Sequence, residues 1–335
     1  MIEGHGDDLH RYQGKVKYNF SSNIYAGVNH EGLMKHISSL GNLIKSYPEP
    51  EPVSLERLIA TEHGVRPEEV LVTNGATEAI YLIARVLGGK RAGIVSPTFR
   101  EYQDACRING LQVVFISEVT DSADVESVWV CNPNNPTGKV IDKNLLLREA
   151  CLHPEKLFVI DQAYALYTSL PVVSPSEGVG AGNIILLSSL TKQFAVPGLR
   201  IGYAVGSEKL LERIRGVRMP WSVGGISISG AEYLIEHKDS YAIDSEGLHR
   251  EALRLAEAFG EIGIDVCETD CNFILCRLPE GRRADELKEC LVEREGILIR
   301  DASNFEGLDS RCFRVAAQGR EENDLLIKAL KKWIL

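Results

Sequence analysis

Residues 184–206 read IILLSSLTKQFAVPGLRIGYAVG. Ile184–Ser188 is a short apolar run of the length of a buried strand, and Ile201–Val205 is another. Between them lie a serine/threonine cluster, a lone lysine at Lys192, a Pro197-Gly198 turn and Arg200. A lysine is normally solvated. Placed directly after a buried strand and folded back by a Pro-Gly turn toward an arginine, its amine meets both desolvation and positive charge. Both lower an ammonium pKa and free the amine to bond a carbonyl.

Working outward, the same texture recurs. Val70–Thr73, Ala92–Ser96, Val113–Ile116, Val128–Cys131 and Leu157–Ile160 are further apolar runs bounded by turn residues. Helical patterns at Thr77–Leu87, Phe99–Asn109, Lys143–Ala150 and Glu208–Arg215 separate some of them. Strand and helix in alternation predict an α/β fold with a mostly parallel sheet covered on both faces. From about Ser229 a long helical stretch runs to Glu261. Then follow Asp265–Cys267, Phe273–Cys276, a helix at Ala284–Glu295, Leu298–Arg300, Phe313–Val315 and a last helix from Glu321. That order predicts a smaller α+β lobe. The expected division is an N-terminal arm (1–30) contributing to the lobe, a large domain (31–228) and a small C-terminal domain (229–335).

In open α/β sheets ligands gather outside the carboxyl ends of the strands. The chemically loaded segments fall there: Asn74 to Thr77, Asn132 to Gly138, Asp161 to Tyr164 and Ser189 to Lys192. Asp161 ends an apolar run and reads either as a helix cap or as a site carboxylate. Asn135 could shape a turn, Phe99 could belong to a core and Ser189 could cap a helix. Those readings hold one at a time, but they leave unexplained why all of these residues surround one lysine.

The bulk numbers are those of an ordinary globular protein. The chain has 335 residues, 44% hydrophobic and 25% charged, with a net charge of −10. An acidic surface argues against nucleic acid or an anionic membrane as the principal partner. MIEGHGDDLHRYQGKV at residues 1–16 has no apolar core of a secretory leader, and no run approaches the 18 or so apolar residues of a membrane span. The eight cysteines are scattered. Cys267 and Cys271 have no second pair or histidine at zinc spacing, so no metal site is expected and the thiols fit a reducing cytoplasm.

The residues NPNNPTG (132–138), DQAY (161–164) and SLTK…GLR (189–200) resemble the signature of fold-type I pyridoxal-5′-phosphate (PLP) enzymes, in the class of histidinol-phosphate aminotransferase. The resemblance implies roles. Lys192 would carry the cofactor, and Asp161 would hold a proton on its ring nitrogen. Asn135 and Tyr164 would face the phenolic oxygen. Ser189, Arg200 and the backbone of Ala76 and Thr77 would bind the cofactor phosphate, and Phe99 would stack on the ring. Tyr47, in SYPEP, matches a tyrosine that reaches the partner subunit's cofactor, which implies a homodimer.

A narrower resemblance decides the expected reaction. IRDASNFEGL (299–308), Phe20-Ser21-Ser22-Asn23-Ile24 and His5-Gly6 resemble segments of L-threonine-O-3-phosphate decarboxylases of cobalamin biosynthesis. Carried over, His5, Asn23 and Arg300 would surround the substrate phosphate, and Arg314 would grip the carboxylate. Two departures stand out: Asp7 where that family has a second glycine, and Tyr25-Ala26 where it has Asn-Pro. The expected partner is thus a small phosphorylated amino acid or amine. Two alternatives stay open: a histidinol-phosphate aminotransferase passing its amino group to 2-oxoglutarate, and a non-catalytic descendant that senses PLP or an amine.

Overall fold

The computed structural model describes residues 6–334. Near its start, Tyr18–Asn19 form a short strand, β1. Seven strands make the large sheet: β2 (Val70–Thr73), β3 (Arg91–Val95), β4 (Gln112–Ile116), β5 (Ser127–Cys131), β6 (Leu157–Asp161), β7 (Ile184–Ser189) and β8 (Gly202–Gly206). Their spatial order is β2-β8-β7-β6-β5-β3-β4.

The apolar runs follow from burial on both faces. Side chains alternate along a strand, so Val128, Val130, Phe158 and Ile160 enter one core cluster. Their neighbours Trp129, Cys131 and Val159 enter the other. Helices close both faces, as the continuous apolar strands require.

Only β8 runs against the rest, antiparallel to both β2 and β7. The reversal has a direct consequence for the site. The other strands end at one edge of the sheet, and β8 begins there. Arg200 and Gly202 therefore arrive at the edge where Thr73, Val95, Cys131, Asp161 and Ser189 finish.

The expected helix from Ser229 to Glu261 is interrupted. One helix spans Gly225–Glu236, a turn occupies Lys238–Tyr241, and a second helix spans Ser245–Gly260. The break has a local cause. The Asp244 side chain accepts the Gly247 N–H at 2.8 Å and caps a new helix start. Ile228, Ala231, Leu234, Ile235 and Tyr241 pack into the large body's core. A boundary at 228 would cut the first of these helices, so the division is better drawn after Tyr241.

The small lobe carries β9 (Asp265–Val266), β10 (Phe273–Arg277), β11 (Ile297–Leu298), β12 (Arg300–Asp301) and β13 (Cys312–Ala316). Leu298–Arg300, expected as one strand, is divided between two sheets. β11 pairs parallel with β1, and β12 joins an antiparallel sheet in the order β12-β13-β10-β9. Helices Ser245–Gly260, Ala284–Glu295 and Arg320–Ile334 cover that sheet around Phe259, Phe313 and Leu326. Phe20 lies in the same core, and the Ala316 N–H donates to its carbonyl at 2.9 Å. The N-terminal arm is thereby built into the lobe and delivers Ser21 to Ile24 toward the sheet edge.

Candidate active site

A cavity of about 370 Å³ opens at that edge, between sheet and lobe. Lys192, Asp161, Asn135, Tyr164, Ser189 and Arg200 line it, with Ala76, Thr77 and Phe99. Arg300 and Arg314 close it from the lobe side.

Lys192 belongs to a single helical turn, Leu190–Gln193, directly after β7. Its Nζ donates to the Ser22 carbonyl at 2.6 Å and stands 5.7 Å from the centre of the Tyr164 ring. Burial, and next the Arg314 guanidinium, pull this ammonium from its ordinary 10.5 down to about 7. The shift favours the neutral amine that a nucleophilic lysine requires.

Asp161 is the last residue of β6, paired in register with Cys131 of β5. The Tyr102 hydroxyl donates to its Oδ2 at 2.8 Å, and the Ala163 N–H donates to Oδ1 at 2.9 Å. Burial raises the carboxyl pKa, while these two donors and the charge of Lys192 oppose that rise. The alternative role of Asp161, capping a helix, is not its main use. The following segment is only the short turn Ala165–Tyr167.

The anion cradle is made of backbone and one guanidinium. Gly75 opens the helix Gly75–Val86 at φ +74, and a Cβ there would sit 2.5 Å from Arg200 Nη2. A Cβ on Gly202 would run into the backbone nitrogen of Ala76. Both glycines therefore keep open the space where a helix N-terminus and Arg200 converge, the arrangement that suits a phosphate. An aldehyde cofactor with an anionic tail fits these groups: cradle at one end, amine in the middle, buried carboxylate at the other.

Arg300 and Arg314 are direct cross-strand partners on β12 and β13. Arg314 donates to Asn135 Oδ1 and to the Ser21 carbonyl, while its buried Nε has no hydrogen-bond partner among the described residues. Arg300 donates to the Asp301 carbonyl and, at 2.8 Å, to Asn304 Oδ1, with its guanidinium 5.2 Å from the Phe305 ring centre. Burial holds both pKa values down near 10, and for Arg300 the charge of Arg314 adds to the effect. Both remain cations at neutral pH, and their hydrogen bonds are to neutral acceptors.

Of the expected substrate residues, His5 lies outside the described residues. Asn23 was expected beside Arg300. Instead it takes a left-handed backbone (φ 55), and its buried carboxamide faces the Tyr164 hydroxyl without a well-formed hydrogen bond. Tyr47, expected to serve the partner subunit, is 85% exposed, rests against Trp221 with ring centres 5.4 Å apart, and is not among the residues lining its own chain's cavity.

The structure also adds residues that sequence reading passed over. Tyr102 follows Phe99 at helical spacing in the expected helix Phe99–Asn109, a signal that could have found it. Arg100, Thr191 and Asn304 also line the cavity, and so does Asp7, which the sequence already marked as a departure. The Ser22 carbonyl, which holds Lys192, has no side-chain signature at all.

Comparison with known proteins places these features in context. The family model described as "Aminotransferase class I and II" matches residues 15–330. A threonine-phosphate decarboxylase of Salmonella typhimurium is 30% identical over 310 residues, covering 86% of this chain and 83% of that protein. A histidinol-phosphate aminotransferase of Thermoanaerobacter is 30% identical over 328 residues, covering 91% and 90%. The crystal structure of L-threonine-O-3-phosphate decarboxylase from Porphyromonas gingivalis superposes with a TM-score of 0.92 at 34% identity, over 95% of this chain and 99% of that one.

Proposed function

The chain belongs to the aminotransferase class I and II family, and from that premise we propose that it is a PLP-dependent decarboxylase of L-threonine O-3-phosphate. The products would be carbon dioxide and 1-amino-2-propanol O-phosphate, the latter destined for cobalamin biosynthesis. PLP is the cofactor of these relatives. When bound, it supplies a conjugated ring that accepts the electron pair left behind as a bond at the substrate Cα breaks.

The chain's residues then divide the work. Lys192 would hold the cofactor through its amine, within the cavity where the substrate amine must also arrive. Asp161, fixed by Tyr102 and Ala163, keeps a proton on the ring nitrogen. Arg200, Ser189 and the N–H groups of Ala76 and Thr77 hold the cofactor phosphate. Asn135 and Tyr164 face the phenolic oxygen, and Phe99 covers the ring. Arg314 takes the substrate carboxylate and Arg300 its phosphate. Once carbon dioxide has left, the Lys192 ammonium is placed to return a proton to Cα.

One observation carries the choice of substrate: Arg300 and Arg314 stand directly opposite each other on neighbouring strands, facing the cavity that holds Lys192. Cross-strand partners lie only about 5 Å apart at Cα. Two adjacent guanidinium groups suit a small molecule bearing two anions close together. In threonine phosphate the carboxylate and the phosphoryl oxygen sit on adjacent carbons. Histidinol phosphate pairs its phosphate with an imidazole and lacks a carboxylate.

A homodimer is part of the same reading. Tyr47, Ile44, Met219 and Trp221 expose large apolar surface, from 48% to 85% of each residue. A second copy covering it would let Tyr47 reach the partner's cofactor phosphate.

The deciding assay incubates the PLP-loaded protein with L-threonine phosphate, and separately with histidinol phosphate and 2-oxoglutarate. Carbon dioxide from the first is the expected result. Glutamate from the second, without carbon dioxide from the first, would overturn the proposal.

A further inference from the structure

The wall beside Arg300 is made by a segment that, among the described residues, lies outside both sheets of the lobe. Gly6 and Asp7 line the cavity. Gly6 is so close that a Cβ on it would fall 2.6 Å from the Ser21 carbonyl oxygen and 3.5 Å from Arg300 Cδ. Locally the segment is tied by two bonds. The Asp7 N–H donates to Ser21 Oγ at 2.9 Å, and Asn19 Nδ2 donates to Asp7 Oδ1 at 2.5 Å.

The stronger tie is one residue further on and points away from the cavity. Asp8 Oδ2 takes Lys288 Nζ at 2.7 Å, with the two side chains only 10% and 11% exposed. Lys288 sits on the outer helix Ala284–Glu295 and is not among the cavity residues. The arm continues along that helix. The Tyr12 hydroxyl donates to Glu289 Oε1 at 2.7 Å, and the Tyr12 ring packs with Val292 and Leu298.

A buried ion pair adds little to stability compared with apolar residues of similar shape, and its better-attested use is to fix one geometry. A pair joining a chain-terminal arm to a lobe helix fixes where that arm lies. We propose that Lys288, acting through Asp8, is a positioning residue that seats Gly6 and Asp7 against Arg300 and so sets affinity for the phosphate end of the substrate. This rests on the reading of Arg300 as the phosphate site. The cofactor end should feel the clamp far less: Asp161 and Arg200 are carried by the large body, and Lys192 meets the arm only through the Ser22 carbonyl, which Lys288 and Asp8 do not touch.

The test uses the full chain loaded with PLP, as wild type, Lys288→Met, Lys288→Arg, Asp8→Asn and the Asp8→Asn/Lys288→Met double variant. Met keeps the length and the apolar stem of Lys288, and Arg keeps the charge. Lys288→Met is expected to raise KM for threonine phosphate about tenfold while kcat, the cofactor absorbance and PLP affinity stay at wild-type values. Lys288→Arg should recover most of the loss, and the double variant should be no worse than Lys288→Met. Amide exchange over residues 6–12 should quicken in Lys288→Met and slow again in Lys288→Arg. An unchanged KM in Lys288→Met overturns the proposal, as does an equal loss of PLP affinity. Should the wild type ignore threonine phosphate altogether, the functional reading fails separately. Calorimetric titration with inorganic phosphate then decides on the clamp: a tenfold weaker Kd in Lys288→Met supports it, and an equal Kd sinks it.

Discussion

The hydroxyl of Tyr102 donates to Asp161 Oδ2 at 2.8 Å, from a buried side chain in the wall of the cavity. Asp161 is itself buried, and burial favours its neutral form. A ring nitrogen keeps its proton only beside an ionised carboxylate. Tyr102 is therefore one of two hydrogen-bond donors that favour the ionised form of Asp161 against the cost of its burial.

Replacing Tyr102 by Phe removes that donor and leaves the packing. A hydrogen bond to a charged group is worth about 2 kcal/mol, so PLP should bind about 30-fold more weakly. Titration of the apoprotein with PLP, followed by absorbance, reads the change directly. An unaltered Kd would mean that the Ala163 N–H alone suffices to hold the carboxylate.

The two cradle glycines give a second prediction. Gly202→Ala would drive a methyl into the Ala76 backbone nitrogen, and neither atom belongs to a flexible side chain. The clash should cost about 1–3 kcal/mol of stability and abolish tight PLP binding. Gly180→Ala is the control. It lies in the helix Pro175–Ala181 with nothing within 4 Å of the added Cβ, and Ala is favoured over Gly in a helix by about 1 kcal/mol. Thermal melts with and without PLP should separate the two. Equal behaviour would remove the argument for a shaped anion cradle.

Much of this was legible in the sequence because the large sheet is buried on both faces. Ile184–Ser189 and Leu157–Asp161 are nearly continuous apolar runs, and turn chemistry marks their ends. The site residues on those ends were legible for the same reason: a strand terminus fixes where Asp161 and Lys192 stand. The reversed direction of β8 left no such mark, since an antiparallel strand buried on both faces has the same composition as a parallel one. The lobe was harder. Leu298 and Arg300 belong to different sheets although only Ile299 separates them, and pairing partners far along the chain decide that. Asn23 was misplaced because its left-handed backbone turns the side chain toward Tyr164. Lys288, an unremarkable helix lysine in sequence, gains its place only when the arm folds across it.

Arg300 and Arg314 should respond differently to conservative change. Arg314→Lys keeps the charge but loses the planar fork that reaches Asn135 and that is proposed to grip the substrate carboxylate. We expect kcat/KM for threonine phosphate to fall by about 100-fold or more, equivalent to about 3 kcal/mol, with a similar relative loss for unphosphorylated L-threonine. Arg300→Lys should weaken threonine phosphate and leave turnover of L-threonine nearly unchanged. Steady-state kinetics on both substrates reads the contrast. The reverse pattern would exchange the two assignments.

The depressed pKa of Lys192 makes a prediction about stability, with a definite sign. Below pH 7 the folded and unfolded chains both carry the ammonium, and the folded state bears the full cost of burying it. Between about 7, the folded value, and about 10.4, the unfolded one, the native protein releases a proton that the unfolded chain retains. The unfolded state then binds more protons, so stability rises with pH, by at most about 1.4 kcal/mol per unit from this group. Lys192→Met removes the group and keeps the shape. In the PLP-free proteins, the melting temperature of Lys192→Met should exceed that of wild type at pH 6, and the gap should narrow steadily toward pH 9. Comparing the two proteins at each pH cancels the other titrating groups. A gap that stays constant, or widens as the pH climbs, would show that Lys192 keeps an ordinary ammonium, and with it the claim of a ready nucleophile would fall.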